Sequence, residues 1–137
     1  LVAVGGGGLI GGVSSWFRDT ASVVGVEPET ACALNAALGA GAIVDVDVSG
    51  IAADSLGARR IGELNFAILG QNGVRAIKVR DDDIRAAQER LWQTHRIVAE
   101  PGGATSLAAL IGGQFRPQPN SLVCAIICGG NTDAVQF

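Results

Sequence analysis

The sequence predicts an α/β fold: a mostly parallel, twisted sheet with helices on both faces. Two observations predict it. Short apolar, β-prone segments alternate with longer segments of helical periodicity along the whole chain, which is the order that gives parallel strands joined by crossover helices. Glycine turns, Gly5 to Gly8 and Gly129-Gly130, follow two of the apolar segments. Carboxyl ends of strands in such sheets are where ligands gather.

The elements follow in order. Leu1 to Val4 is apolar and β-prone, and Gly5 to Gly8 ends it. Leu9 to Asp19 reads as a helix with Leu9, Val13, Trp16 and Phe17 on one side. Ser22 to Val26 is a second short strand. Glu29 to Ala40 reads as a helix, with Glu29 in its first turn and Gly39 and Gly41 ending it. Ile43 to Ala53 alternates Asp and Val and is expected to be extended. A helix is expected over Ile61 to Leu69, after Gly62, and a strand over Val74 to Val79. Asp81, Asp82 and Asp83 open the next helix, where acids complement the positive helix end. That helix is expected to bury Ile84, Leu91 and Trp92, with His95 as a cap or surface residue at its end. Ile97 to Ala99 is a short extended piece. Pro101 starts a helix through Ala104 to Ile111. Gln114 to Ser121 is a Pro-bearing loop, and Leu122 to Ile127 is expected to be a buried strand.

Hydrophobic residues make up 48% and charged residues 17%, a globular balance rather than a disordered one. A net charge of −3 gives no electrostatic case for nucleic acid or an anionic membrane as partner. No apolar run reaches the roughly 18 to 20 residues of a spanning helix, and Leu1 to Gly12 lacks a basic n-region. The cysteines are Cys32, Cys124 and Cys128, with no C-x-x-C pair and one His in the chain, so a zinc site is short of ligands. Cys32 and Cys124 are expected to be reduced, buried thiols of a cytoplasmic protein. Met is absent, even at position 1, and the single lysine is Lys78. The expectation is a piece of a longer chain.

Val4-Gly-Gly-Gly-Gly-Leu9 joins a strand to a helix. Glycines there leave backbone N–H groups uncovered at a helix start, a nest suited to phosphate. A tight turn needing positive φ requires one or two glycines, not four. Gly6-x-Gly8-x-x-Gly11 also fits the dinucleotide fingerprint, with Glu27 at the end of the next strand as ribose-binding acid. That Rossmann-type reading leaves Cys128-Gly129-Gly130-Asn131 unexplained. A thiol and bare backbone at that second turn would sit close to a flat ring.

Five stretches, in order, resemble the fold type II pyridoxal-phosphate enzymes, in particular the threonine/serine dehydratase and serine racemase group. They are Val4-Gly-Gly-Gly-Gly-Leu-Ile10, Val24-Gly-Val-Glu-Pro28, Ile51-Ala-Ala-Asp-Ser-Leu56, Val98-Ala-Glu-Pro-Gly-Gly-Ala104 and Ile127-Cys-Gly-Gly-Asn131. The resemblance implies the large-domain part of the tryptophan synthase β-like fold. Residues 1–137 would be the C-terminal part of its catalytic region, carrying the cofactor phosphate loop. It implies that Gly5, Gly6, Gly7 and Gly8 hold the phosphate of pyridoxal 5'-phosphate and that Cys128 meets the pyridine nitrogen. Glu100 matches an acid near the site; a buried hydrogen-bonded acid or a helix-start charge is the structural alternative. Some members hold a divalent cation, for which Glu27 matches a carboxylate ligand and Ala31 a backbone carbonyl. Here Ala33 stands where a second acid ligand is expected, and a hard cation wants several oxygens. Relatives often have Gly in place of Ser55.

The family's Schiff-base lysine lies in a segment upstream of the glycine loop, and Lys78 matches no catalytic motif, so this chain holds no catalytic residue of its own. The resemblance implies an intact ammonia-lyase that removes water from threonine or serine by β-elimination, giving a 2-oxo acid and ammonia. It also implies a homo-oligomer. The fragment alone is expected to be inactive. A serine racemase or a non-catalytic relative of the same fold is the alternative beside the Rossmann-type domain.

Overall fold

The computed structural model describes residues 1–130, 132 and 133. Its elements are β1 (Val2–Ala3), α1 (Gly8–Trp16), β2 (Val24–Pro28), α2 (Ala33–Ala40), α3 (Ala53–Leu56), α4 (Glu63–Gln71), β3 (Arg75–Val79), α5 (Asp81–His95) and α6 (Pro101–Ile111). The three strands form a parallel sheet in the order β1-β2-β3. Val2 faces Gly25 and Ala3 faces Val26; β2 and β3 align from Val24 opposite Arg75 to Pro28 opposite Val79. Every residue of β2, the central strand, is buried.

Side chains alternate across the sheet and feed two cores. Val2 and Val4 pack with Ile10, Leu34, Ala37, Ile61 and Leu69 from α1, α2, the loop before α4, and α4. Val26 and Val79 pack with Ile84, Ala87, Leu91, Ala104 and Ala108 from α5 and α6. Gly25 belongs to the first face: a Cβ there would lie 3.0 Å from Val4 Cγ2 and 3.1 Å from Ile10 Cδ1. The expected helices on both faces of a parallel sheet are therefore present.

Four element-level expectations change. Helix α1 buries Ile10, Gly11 and Ser14, not the stripe of Leu9, Val13, Trp16 and Phe17. Trp16 is 82% exposed. Gly11 lets the helix lie close to Asn65, and Asn72 Nδ2 donates to Ser14 Oγ at 3.0 Å, so small and polar residues make that contact. Helix α2 starts at Ala33, not Glu29, because Glu27 in β2 supplies its cap from outside. Trp92 in α5 is only partly buried, with the Arg96 guanidinium 5.4 Å from its ring centroid.

The fourth concerns residues 122–127, which are extended but neither a strand nor buried; Leu122 is 99% exposed and Cys124 is exposed. The Leu1 nitrogen donates to the Cys124 carbonyl (2.7 Å) and the Ile126 N–H to the Leu1 carbonyl (3.1 Å). This is the hydrogen-bond pattern of a parallel pair, made through one residue of β1's flank. An apolar run alone does not bury a segment when only one neighbour pairs with it. Ile97 to Ala99 likewise has no strand pairing. No helix among the described residues is long and apolar enough to cross a membrane.

Candidate functional site

Four chain segments meet at the carboxyl end of the sheet. The first is the glycine loop. Val4 N–H donates to the Val26 carbonyl (3.0 Å), which aligns the loop's start with β2. The Gly6 carbonyl then accepts from Gly62 N–H (3.1 Å) and Asn65 Nδ2 (2.8 Å). Gly7 has φ 91 and is the N-cap of α1, and a Cβ on it would lie 2.5 Å from Ile61 Cδ1. Both the backbone conformation and the packing therefore exclude a side chain at Gly7. A Cβ on Gly5 would come within 3.3 Å of Leu56 Cα. Gly6 and Gly8 are exposed, and nothing lies within 4 Å of a Cβ built on Gly8.

The Gly6 carbonyl is thus turned toward Gly62 and Asn65, and Gly8 at the head of α1 is exposed. No side chain caps α1, and its first turn holds no acid. The first N–H groups of a helix lack intrahelical partners and carry the positive end of its dipole. Exposed, uncapped and free of Cβ cover, they form a cradle for a phosphate. The residues present fit the phosphate of pyridoxal 5'-phosphate.

A second wall is built by the start of α6 and the turn at Cys128. Glu100 is the N-cap of α6, and Pro101, Gly102 and Gly103 form its first turn. Cys128 N–H donates to the Gly103 carbonyl (3.4 Å) and Glu100 N–H to the Gly129 carbonyl (3.0 Å). A Cβ on Gly103 would collide with the Cys128 carbonyl, and one on Gly129, where φ is 76, with the Glu100 carboxylate. These two glycines are there because backbone passes against backbone and carboxylate. Burial pushes the Cys128 thiol up from its usual range, and the nearby Glu100 charge adds to this. The raised pKa keeps Cys128 a neutral thiol near pH 7. Asn131, grouped with this turn by sequence, lies outside the described residues.

Ser55 joins the two walls. Its Oγ accepts from Gly102 N–H (3.1 Å), while the next residue, Leu56, backs Gly5. The structure thus brings Gly5 to Gly8, Ser55, Glu100 and Cys128 to one end of the sheet. Sequence reasoning missed the roles of Asn65, Gly62 and Ser55. Asn65 lies 59 positions from its partner Gly6, and nothing local marks it.

Glu27 and Ala31 lie elsewhere. The Glu27 side chain is fully buried. Its Oε1 accepts from Leu34 N–H (2.7 Å), and its Oε2 from Asn35 N–H and Asn35 Nδ2 (2.8 Å each). A carboxylate from β2 thereby caps α2, whose own N-cap, Cys32, makes no side-chain bond. Burial raises the Glu27 pKa against the opposing pull of these donors. Ala31 is buried beside it, 2% exposed, and Ala33 offers no oxygen from its side chain. No group of three or more His, Cys, Asp or Glu among the described residues could hold a metal ion. The donor set does not fit a divalent cation, because its one carboxylate is already committed to three N–H donors. The same geometry removes Glu27 as a ribose-binding acid for a dinucleotide.

Lys78 is exposed on β3 and His95 is exposed at the end of α5; neither belongs to the segments that build the glycine-loop site. Cys32 and Cys128 are half-buried and all three cysteines are free. A groove of about 560 Å³ opens at the other end of the sheet, lined by Val2, Phe17, Val24, Arg75, Phe115 and Leu122 among others. It sits at the amino ends of the strands, away from the glycine loop.

In sequence and fold the chain is similar to known proteins. A family model described as "Pyridoxal-phosphate dependent enzyme" matches residues 1–129. The chain is 37% identical over 140 residues to a phenylserine dehydratase of Ralstonia pickettii, covering 100% of this chain and 43% of that protein. It is 35% identical over 142 residues to a biosynthetic L-threonine dehydratase of Corynebacterium glutamicum, covering 100% of this chain and 32% of that protein. The fold superposes on a threonine deaminase from T.th. with TM-score 0.85 and 31% identity, over 96% of this chain and 49% of that one. It superposes on serine racemase from Dictyostelium discoideum with TM-score 0.80 and 31% identity, over 96% of this chain and 43% of that one. The chain thus spans less than half the length of each.

Proposed function

This chain belongs to the pyridoxal-phosphate dependent enzyme family, and from that premise we propose that it is the phosphate-loop part of a fold type II dehydratase. The proposed reaction is β-elimination of water from a hydroxy amino acid, threonine or serine, giving a 2-oxo acid and ammonia. One observation supports it most: an uncapped helix start behind Gly5 to Gly8, on the same end of the sheet as the neutral thiol of Cys128.

Pyridoxal phosphate, when bound, supplies an electron sink for negative charge developing at the substrate's α-carbon. The residues of this chain bind and orient. The N–H groups of the loop and of the first turn of α1 hold the phosphate. Cys128 would offer its thiol at the ring edge. A neutral group there does not keep the ring nitrogen protonated, which moderates the sink and suits a reaction in which a leaving group departs. Glu100, facing Gly129 and Cys128, keeps that turn in place. The lysine that holds the cofactor covalently would come from a part of the protein that precedes the glycine loop, since Lys78 sits on an exposed strand position. Amino-acid substrate, cytoplasmic location and a homo-oligomeric state belong to the same proposal. The chain by itself would be inactive.

The test is the intact mass of the polypeptide carrying this chain, before and after borohydride, together with 2-oxo acid formation from L-threonine and L-serine. A cofactor-sized adduct and turnover support the reading. A polypeptide that contains the upstream part yet gains no adduct overturns it. Racemisation is a second reading, favoured by the likeness to a serine racemase; the chirality of recovered serine separates the two.

A further inference from the structure

We infer that Ser55 is a positioning residue, which sets the distance between the phosphate-holding glycine loop and the turn at Cys128. The inference rests on pyridoxal phosphate being the ligand. It stands on a run of contacts. Gly5 lies against the backbone of Leu56, with a Cβ position 3.3 Å from Leu56 Cα and 3.5 Å from its carbonyl oxygen. Ser55 Oγ accepts from Gly102 N–H at 3.1 Å and donates to the Ala52 carbonyl at 3.4 Å. Gly102 is buried, and its successor Gly103 carries the carbonyl that receives Cys128 N–H. Phosphate side and ring side are thus linked through one hydroxyl.

The chemistry explains why a hydroxyl is used. Gly102 N–H belongs to the first turn of α6 and has no carbonyl four residues back to receive it. Left alone and buried, it is an unsatisfied donor. Ser55 satisfies it from a different element, so the bond fixes the relative placement of α3 and α6. A Cβ on Gly102 would meet Ser55 Oγ and lie 3.0 Å from Leu56 Cγ, so a glycine at this position is what lets α3 and α6 approach closely enough for the bond. The glycine loop is anchored separately, by Gly62 N–H and Asn65 Nδ2 on the Gly6 carbonyl. Loss of the Ser55 bond therefore shifts the Cys128 wall and leaves the phosphate cradle intact.

The experiment compares two ligands in the full-length polypeptide that carries this chain. Dissociation constants for pyridoxal phosphate and for inorganic phosphate are measured in wild type, Ser55→Ala, Ser55→Thr and Gly102→Ala. Expected for Ser55→Ala is about a tenfold weaker hold on pyridoxal phosphate, the size of one buried bond lost, with a displaced absorbance maximum of the bound cofactor. Affinity for inorganic phosphate should stay at the wild-type value. Ser55→Thr, which keeps the hydroxyl, should restore the cofactor affinity. Gly102→Ala, which forces the elements apart, should reproduce the split between the two ligands. Equal cofactor affinity in wild type and Ser55→Ala overturns the inference. So does a parallel loss of both ligands in Ser55→Ala and Gly102→Ala, which would make the pair a support of the fold alone. A wild-type protein that binds inorganic phosphate but not pyridoxal phosphate overturns the cofactor reading itself, and the inference with it.

Discussion

Helices α1 and α2 follow adjacent strands of one sheet, and their amino ends are treated in opposite ways. At α1 four glycines strip away side chains, the Gly6 carbonyl is tied back by Gly62 and Asn65, and no side chain caps the first turn. At α2 a buried carboxylate, Glu27, takes the N–H groups of Leu34 and Asn35. Both ends present the same positive backbone donors. One receives a carboxylate from the protein itself; the other is left without a side-chain cap. A glycine-rich strand end is therefore informative only together with the fate of the donors behind it.

Giving α1 an acid of its own should have the largest effect. Gly8→Asp has open space around its Cβ, so the fold should persist, with about 0.3 to 1 kcal/mol of added stability from the helix dipole. Cofactor affinity in the full-length protein should fall about a hundredfold, since two like charges a few ångströms apart repel by several kcal/mol near a protein surface. Equilibrium dialysis alongside urea unfolding reads both effects. The reverse experiment removes the internal anion: Glu27→Ala leaves two helix N–H groups without their acceptor, and urea unfolding should show a loss of about 3 kcal/mol.

A gentler change sharpens the point. The folded-state pKa of Glu27 lies above its usual 4.5 because of burial, so the folded chain holds this proton more tightly than the unfolded one. Stability should fall as pH rises from about the unfolded value through the raised folded value, then level off. Glu27→Gln should remove that part of the slope when melting temperature is followed against pH. The smallest effect concerns metal. With both Glu27 oxygens bonded to N–H groups, neither millimolar Mg²⁺ nor a chelator should move the melting temperature, since only a ligand that binds the native state shifts it. A clear rise with Mg²⁺ would place a cation where the geometry leaves no carboxylate for one.

The sheet and the glycine loop are legible in the sequence because their signals are local. Val4-Gly-Gly-Gly-Gly-Leu9 states a strand end, a bare turn and a helix start within six residues. Strand β3 and helix α5 are legible for the same reason, a short β-prone segment, Val74 to Val79, followed by Asp81, Asp82 and Asp83. What fails depends on long-range placement. Trp16 and Phe17 look like a core stripe, yet α1 turns Ile10, Gly11 and Ser14 inward, the last two against Asn65 and Asn72 from far along the chain. Leu122 to Ile127 looks buried, yet its backbone is held by Leu1 and by the Ser106 hydroxyl rather than by a neighbouring strand. Glu27 looks like a ligand for something bound, and its partners are a helix start seven and eight residues on. Asp83 looks like a dipole partner, but is buried and also receives Arg80 and Gln114.

The paired glycines at the start of α6 bear on the order in which the molecule assembles. Each costs about 1 kcal/mol in a helix relative to alanine, so the first turn of α6 has little tendency to form by itself. It gains its partners only when residues 53–56 and the backbone of residues 128–129 have arrived from distant parts of the sequence. Such contacts form after the loops between them have closed. The first turn of α6 should then be among the last pieces to become ordered as the chain folds. Its Gly102 amide, slow to exchange with solvent deuterium only in the completed wall, would serve as a built-in reporter of that final step.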